Sequence, residues 1–244
     1  MNARLVRHLL GRMLRGKRLL GAVALASIAG VAAWVSMAGE SEAAASEEYQ
    51  VVVSTVPAAT LSIALLILGT AALRDERDGG TLPFLFLTPM TAVTFAISAW
   101  VAAVLGSVMV AVVGWMPGWI GSGLVTGSWD LALPALSVYV GAAIGYSAIF
   151  VPLGYLFGRS LLVGIGYVFV WEGILAGAVP GLGASSVWRL VMSIYADLDR
   201  LPGDALDMLG TVEPGRWGGI ATLVGLVAAG LVVLTWAVRY RDAV

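Results

Sequence analysis

Six stretches of the chain are almost continuously apolar, and its polar residues are gathered between them. The stretches run Leu19–Ala38, Val51–Leu73, Thr91–Trp115, Leu131–Phe157, Ser160–Val179 and Gly219–Val238. Each is long enough for a helix that crosses a bilayer, which needs about 20 mostly apolar residues. Strands of a membrane barrel would alternate apolar and polar positions, with turn residues every ten or so. These runs are unbroken, so helices are predicted. The first 18 residues follow another pattern. At the helical period, Arg4, Arg7, His8, Arg12, Arg15 and Arg18 share one arc, and Leu5, Val6, Leu9 and Met13 share the other. Lys17 alone falls out of place. This predicts an amphipathic helix over residues 1–18, lying in the headgroup plane, with Arg4, Arg7, Arg12, Arg15 and Arg18 anchoring it to the membrane surface.

The connections differ in charge. With six crossings, eleven of the 14 Lys and Arg residues fall on one side: six in the N-terminal segment, then Arg74, Arg77, Arg159, Arg239 and Arg241. The other side receives Arg189, Arg200 and Arg216, together with ten of the 15 acids, Glu40, Glu42, Glu47 and Glu48 among them. Cytoplasmic loops carry the excess of cations, so both termini are expected in the cytoplasm. The first outer loop, "GESEAAASEEYQ", reads as short and acidic. The second, Met116–Asp130, is rich in Gly and Trp, which suits an interface. The third, residues 180–217, is the longest. Within it "SSVWRLVMSIYADLDR" opens on serine caps and spaces its apolar residues as a helix does, so short helices tucked into the outer leaflet are expected.

Composition agrees with the pattern. Of 244 residues 59% are hydrophobic and 12% charged, and the mean hydropathy is +0.93. Soluble domains are nearer half apolar and a quarter charged. The class is therefore an all-α membrane protein, one transmembrane domain over residues 1–244, with six transmembrane helices. The first apolar segment is long enough to span and is expected to be retained rather than cleaved as a signal peptide. Cysteine is absent and His8 is the only histidine. Disulfides, thiolate metal sites, cysteine nucleophiles and two-histidine metal motifs are excluded, and no metal site is expected.

Two motifs fail on inspection. "GRMLRGKR", Gly11–Arg18, begins like a phosphate-binding loop, but Arg18 stands where Ser or Thr would hold magnesium, and too little chain precedes it for the required strand. Lys17 is the only lysine, so no other such loop exists. "GLGASS", Gly181–Ser186, lacks both a preceding strand and a histidine base. No catalytic residue and no nucleic-acid partner are expected. Small residues spaced by four, Gly141/Gly145, Gly154/Gly158 and Gly173/Gly177/Gly181, read as close helix packing. Pro57 and Pro152 lie within spans and are expected to kink them.

Glu172 stands out. It sits well inside the fifth apolar stretch, where an acid costs about 2.5–3.5 kcal/mol. Three readings stay open: a polar contact on a substrate or ion pathway, a hydrogen bond to a hydroxyl, for which Tyr146 or Ser147 on the fourth span are candidates, or a position close enough to the outer interface for the side chain to snorkel.

The segment "RDERDGGTLPFLFLTP", residues 74–89, carries five charges and then two glycines that permit a sharp turn. Thr81 can cap a short helix with Pro83 in its first turn, and Pro89 ends it. Phe84, Leu85, Phe86 and Leu87 give that helix an apolar body. The pattern Glu76, Gly80, Thr81, Leu82, Leu85, Pro89 resembles the first cytoplasmic loop of permease subunits of the type-2 export class of ABC transporters. The layout is similar too: basic amphipathic start, six spans, cytoplasmic ends and a long last outer loop.

The resemblance implies that this segment is a coupling helix docking on a separate ATP-binding subunit, through Glu76, Gly80, Thr81, Leu82, Phe84, Leu85 and Pro89. It implies ATP and magnesium in that partner, with no cofactor on this chain. It also implies pairing with a second copy or a paralogous permease, and a prokaryotic cell membrane. An ion-gradient-driven transporter and a non-transporting membrane scaffold are the rival expectations. The first would want inverted repeats and several intramembrane polar groups.

Overall fold

The structure, a computed structural model, describes residues 1–80, 90–178, 182–199 and 215–241. Among these residues every regular element is helical. The helices are α1 (Ala3–Met13), α2 (Lys17–Met37), α3 (Glu42–Asp78), α4 (Ala92–Thr126), α5 (Leu136–Leu156) and α6 (Ser160–Gly166). α6 continues as a π-helical stretch, Tyr167–Leu175, and a last turn, Ala176–Ala178. A 3-10 turn, Leu182–Ser185, precedes α7 (Val187–Leu198), and α8 (Gly215–Arg241) closes the chain. Five of them, α2, α3, α4, α5 and α8, are long and apolar enough to cross a membrane. Their outward faces carry Leu20, Val35, Leu124, Val224 and Val232, all exposed, as lipid contact requires. The described part of the chain is all-helical, and its long apolar helices are those of a multi-pass membrane protein.

Several boundaries depart from the sequence pattern. α1 stops at Met13, not near residue 18, because Gly16 takes φ +89° and turns the chain into α2. The acidic connection expected to be a loop is the first turns of α3. Ser41 caps it, its Oγ accepting from the Ala44 N–H, and Glu42 favours the positive helix start. α4 likewise runs past Trp115, through Pro117, to Thr126, so most of the expected second outer loop is helix. With 37 and 35 residues, α3 and α4 are each more than 50 Å long by helical rise, well beyond the roughly 30 Å hydrocarbon core. Both helices run on through their prolines, Pro57 and Pro117, as α5 does through Pro152. Of the long third connection, residues 182–199 supply one short helix, α7; residues 200–214 lie outside the described part.

Small residues set the packing. In a membrane no hydrophobic force draws helices together, so close backbone approach and dispersion must do it. The seam between α2 and α4 is the tightest example. A Cβ on Gly30 would lie 2.7 Å from the Gly114 carbonyl oxygen, and one on Gly114 2.6 Å from the Ala26 Cβ. The order Ala26–Gly114, Gly30–Gly118, Trp34–Gly121 makes α2 and α4 parallel. α3 and α5 pack through Gly69 on Phe150 and Gly154 on the Thr70 backbone. Gly141 and Gly145, read as packing residues from their spacing, receive Val191 and Val187 of α7, whereas Gly158 faces open space and Gly173 touches no other helix.

Contacts also fix which ends lie together. α1, the end of α3, the start of α4 and the end of α5 meet through the bonds described below. The end of α8 joins them, since Trp236 and Tyr240 border recesses shared with Leu156 and with Val93. Arg74, Arg77, Arg159 and Arg239 gather here, so this is the basic end of the bundle.

Candidate functional site

At the basic end the first five residues of the "RDERDGGTLPFLFLTP" segment are the last turns of α3, not a loop, and each charge has a partner. Glu76 is 1% exposed. Its Oε1 accepts from Arg12 Nη1 at 2.8 Å and lies 3.2 Å from His8 Nε2, both on α1. Arg12 Nη2 also donates to the Asp75 carbonyl at 3.4 Å. Arg18, at the start of α2, pairs with Asp75. Arg74 pairs with Asp78 one turn on, at 3.1 Å. Arg77 Nη1 donates to the Tyr155 carbonyl in the last turn of α5 at 3.2 Å. Helix C-termini leave such carbonyls without intrahelical donors, and a cation there suits the dipole. Gly79 and Gly80 follow, Gly80 with φ +65°, a conformation glycine adopts without strain.

α1 is held by more than this pair. Leu5, Val6, Leu9 and Met13 are buried, the same four the spacing places on one arc. They pack on α4 and α3, with Met13 and Leu10 over the bare Cα of Gly106. Asn2 caps the helix with its side-chain oxygen. Its backbone N–H donates to Ser98 Oγ at 2.8 Å and its amide to Met90 Sδ at 3.0 Å. Of the five expected anchoring cations, Arg4, Arg7 and Arg15 are exposed and form no ion pair among the described residues, while Arg12 and Arg18 are committed to α3. His8, given no role by its sequence context, joins Glu76. Of the expected docking set, Glu76 and Gly80 are described. Thr81, Leu82, Phe84, Leu85 and Pro89 lie outside the described residues.

The second polar site surrounds Glu172, within the π-helical stretch. Its partners are neither Tyr146 nor Ser147. Ser147 donates to the Ala143 carbonyl at 2.6 Å, and its Oγ lies 3.3 Å from Ser107 Oγ of α4. The carboxylate instead meets the start of α7. Oε1 accepts from Tyr167 Oη at 2.8 Å and from the Val187 N–H at 2.9 Å. Oε2 accepts from the Ser186 hydroxyl and from the Trp188 N–H at 3.4 Å.

The reason is the set of bare donors at a helix start. All four of α7's first N–H groups are thereby satisfied: Val187 and Trp188 by Glu172, Arg189 by Ser186 Oγ at 3.2 Å, Leu190 by the Ser186 carbonyl at 3.1 Å. The dipole adds attraction for the negative charge. Neither Tyr146 nor Ser147 offers that combination. Beside Glu172 lies a recess of about 130 Å³ between α3 and the π-helical stretch, lined by Ala58, Val168, Gly173 and Trp188. Ligand sites run to roughly 300–1,000 Å³, so this one is small.

α7 enters the bundle N-terminus first. Val187 fills the space over Gly145 and Val191 that over Gly141, so α7 runs antiparallel to α5 and begins nine residues below the latter's start at Leu136. Val187, Leu190, Val191, Met192, Ser193, Ile194 and Tyr195 are buried. The pairing of Gly114 and Gly118 with Gly30 escaped the sequence reading, although Gly114 and Gly118 stand at the same spacing of four as the pairs it singled out.

No known protein family and no curated protein matches this chain.

Proposed function

We propose that this chain is the membrane-spanning permease subunit of an ATP-driven exporter of the ABC type-2 class. It works with a separate ATP-binding subunit, which holds the ATP and magnesium, and with a second copy of itself or a paralogous permease. The carrying observation is the Glu76 junction. The glutamate that opens the Glu–Gly-Thr-Leu pattern is buried and bonded to Arg12 and His8 of α1. Its neighbours Asp75 and Arg77 reach α2 and α5. A push on residues 81–89, just beyond, would be felt by α1, α2, α3 and α5 together. A coupling segment needs that mechanical linkage, because coupling is a two-state equilibrium that both the nucleotide and the cargo bias.

Six crossings with both ends in the cytoplasm complete the reading. α5 ends at the basic end, beside Arg77. α8 begins at the opposite end: Leu223 packs at Gly145 and Gly230 at Ala148, so it runs parallel to α5. The apolar helical segment Ser160–Leu175 lies between them and supports a further crossing. The excess of cations supports a cytoplasmic basic end, and the resemblance of residues 76–89 implies a prokaryotic plasma membrane. Glu172 belongs to the outer half, as the cap of α7.

The test is purification of the tagged chain in mild detergent from its native membrane, with identification of co-eluting proteins and an ATPase assay. An ATPase that co-elutes with the wild type and is lost from Leu82→Asp/Leu85→Asp is the expected result. If none accompanies the wild type, the transporter-subunit reading fails.

A further inference from the structure

Near the basic end α8 raises a ridge. Trp236 and Tyr240, one turn apart, have ring centroids 5.7 Å from each other and are 58% and 67% exposed. An apolar recess opens on each side. The larger, about 580 Å³, lies between α8 and the start of α4 and is lined by Val93, Ile97, Leu231, Val232 and Thr235. The smaller, about 240 Å³, lies between α8 and the end of α5, against Leu156 and Ala237. Trp236 and Tyr240 line both. The larger recess starts at Ala228 and reaches Arg239, roughly 16 Å along the helix by rise per residue, running from an apolar floor to a cationic rim. Arg239 is exposed and forms no ion pair among the described residues.

We propose that this is a binding site for one diacyl phospholipid with an anionic headgroup. One acyl chain lies in each recess, astride the Trp236–Tyr240 ridge, and the phosphate meets the Arg239 guanidinium. Two apolar recesses that share the Trp236–Tyr240 wall match two chains carried on one glycerol. A guanidinium matches phosphate with two parallel hydrogen bonds. Trp and Tyr rings settle at headgroup level, where the Tyr240 hydroxyl can also donate to the phosphate. A second copy of the chain suits the surface less well. It would bury Arg239 while the described acids of this end, Asp75, Glu76 and Asp78, are already paired with Arg18, Arg12 and Arg74. The site requires only that α8 faces lipid and does not depend on the ATP-driven reading.

The full chain, purified in mild detergent, is titrated with phosphatidylglycerol or phosphatidylcholine of the same acyl chains, and bound lipid is counted by native mass spectrometry. One phosphatidylglycerol per chain is expected, with apparent affinity at least ten-fold above phosphatidylcholine. Arg239→Gln, a change at an exposed side chain, brings the two lipids within two-fold. Ala228→Trp, which fills the larger recess from an exposed position, loses both. Arg216→Gln at the opposite end keeps the preference. The proposal is overturned if the wild type shows no headgroup preference, or if Arg239→Gln retains it. It is equally overturned if Val232→Cys, the sole cysteine in that variant, cross-links copies of the chain at this face in phosphatidylglycerol nanodiscs.

Discussion

Replacing Glu172 by glutamine separates the charge of the α7 cap from its shape. The carboxylate serves four donors with two oxygens. Glutamine keeps one oxygen, which can still serve Tyr167 and the Val187 N–H. The amide nitrogen replaces the other oxygen and turns its hydrogens towards the Trp188 N–H and the Ser186 hydroxyl. One backbone donor is thus orphaned, and the remaining bonds drop from charge-assisted to neutral. Hydrogen bonds to charged groups contribute about 1.5–3 kcal/mol against about 0.5–1.5 for neutral ones. The dipole adds up to about 2 kcal/mol where the site is partly buried.

The cost of holding an acid in the apolar interior acts in the same direction. It falls on the state in which α7 has left, where the carboxylate has lost its donors. Glutamine relieves that state and so weakens docking further. A loss of about 1–3 kcal/mol in docking makes α7 open roughly 5- to 150-fold more often. Hydrogen exchange of the peptide spanning residues 182–199, in lipid nanodiscs, reads this directly. Glu172→Leu, which removes every acceptor, should exceed Glu172→Gln. Exchange within two-fold of wild type in both variants would refute the capping account, because the orphaned donors would then cost nothing.

Other expectations follow from the same contacts. Arg12→Ala removes a charge-assisted bond from the nearly fully buried Glu76 and should lower stability by about 1.5–3 kcal/mol. This is measured as a lowered thermal midpoint in detergent that added salt does not mimic, since buried pairs are screened little. His8→Ala, at a half-exposed side chain, should cost less. Gly114→Leu drives a side chain into the Ala26 backbone and should destabilise by about 1–3 kcal/mol or more, whereas Gly225→Leu, facing open space, should stay within about 0.5 kcal/mol. The same unfolding assay compares them, and equal effects would remove the α2–α4 seam as the explanation. Leu82→Asp with Leu85→Asp should abolish co-purification of an ATPase. Arg239→Gln should erase the preference for anionic lipid.

How much of this was legible before the structure depends on range. Long apolar runs marked α2, α3, α4, α5 and α8, because each is a local property of one segment. The buried arc of α1 was legible for the same reason: Leu5, Val6, Leu9 and Met13 repeat at the helical period. Helix ends were read too short where polar residues continue the helix beyond the apolar core, as at Glu42–Gln50 and Arg74–Asp78. The partners of Glu172 could not be read. Two of its four donors are backbone N–H groups some 15 residues away in sequence, and a backbone donor leaves no trace in the side-chain pattern. Tyr146 and Ser147 were plausible only because a hydroxyl is visible in a sequence and a helix start aimed at a carboxylate is not. His8 was missed likewise, since its meaning lies 68 residues away at Glu76.

The two acids solve one physical problem at two depths of the bundle, Glu76 at the basic end and Glu172 near the midpoint of α5. α1 and α7 are short helices with one apolar face. In water, burying such a face contributes about 1.5–3 kcal/mol for each large side chain. In a bilayer the same face is content against lipid, so apolar contact alone does not choose protein over membrane. A polar contact does choose, because lipid tails offer no donor or acceptor. Glu76 supplies that contact for α1 by accepting from Arg12, and Glu172 supplies it for α7 by accepting from Val187 and Trp188. Each acid therefore fixes the position of an element that dispersion alone would leave free to slide along the bundle. The argument requires that Glu76→Gln loosen α1 without affecting α7, and Glu172→Gln loosen α7 without affecting α1. Hydrogen exchange over residues 2–13 and 182–199 distinguishes the two, and loss of protection in both segments from either change would mean that the acids stabilise the bundle as a whole instead.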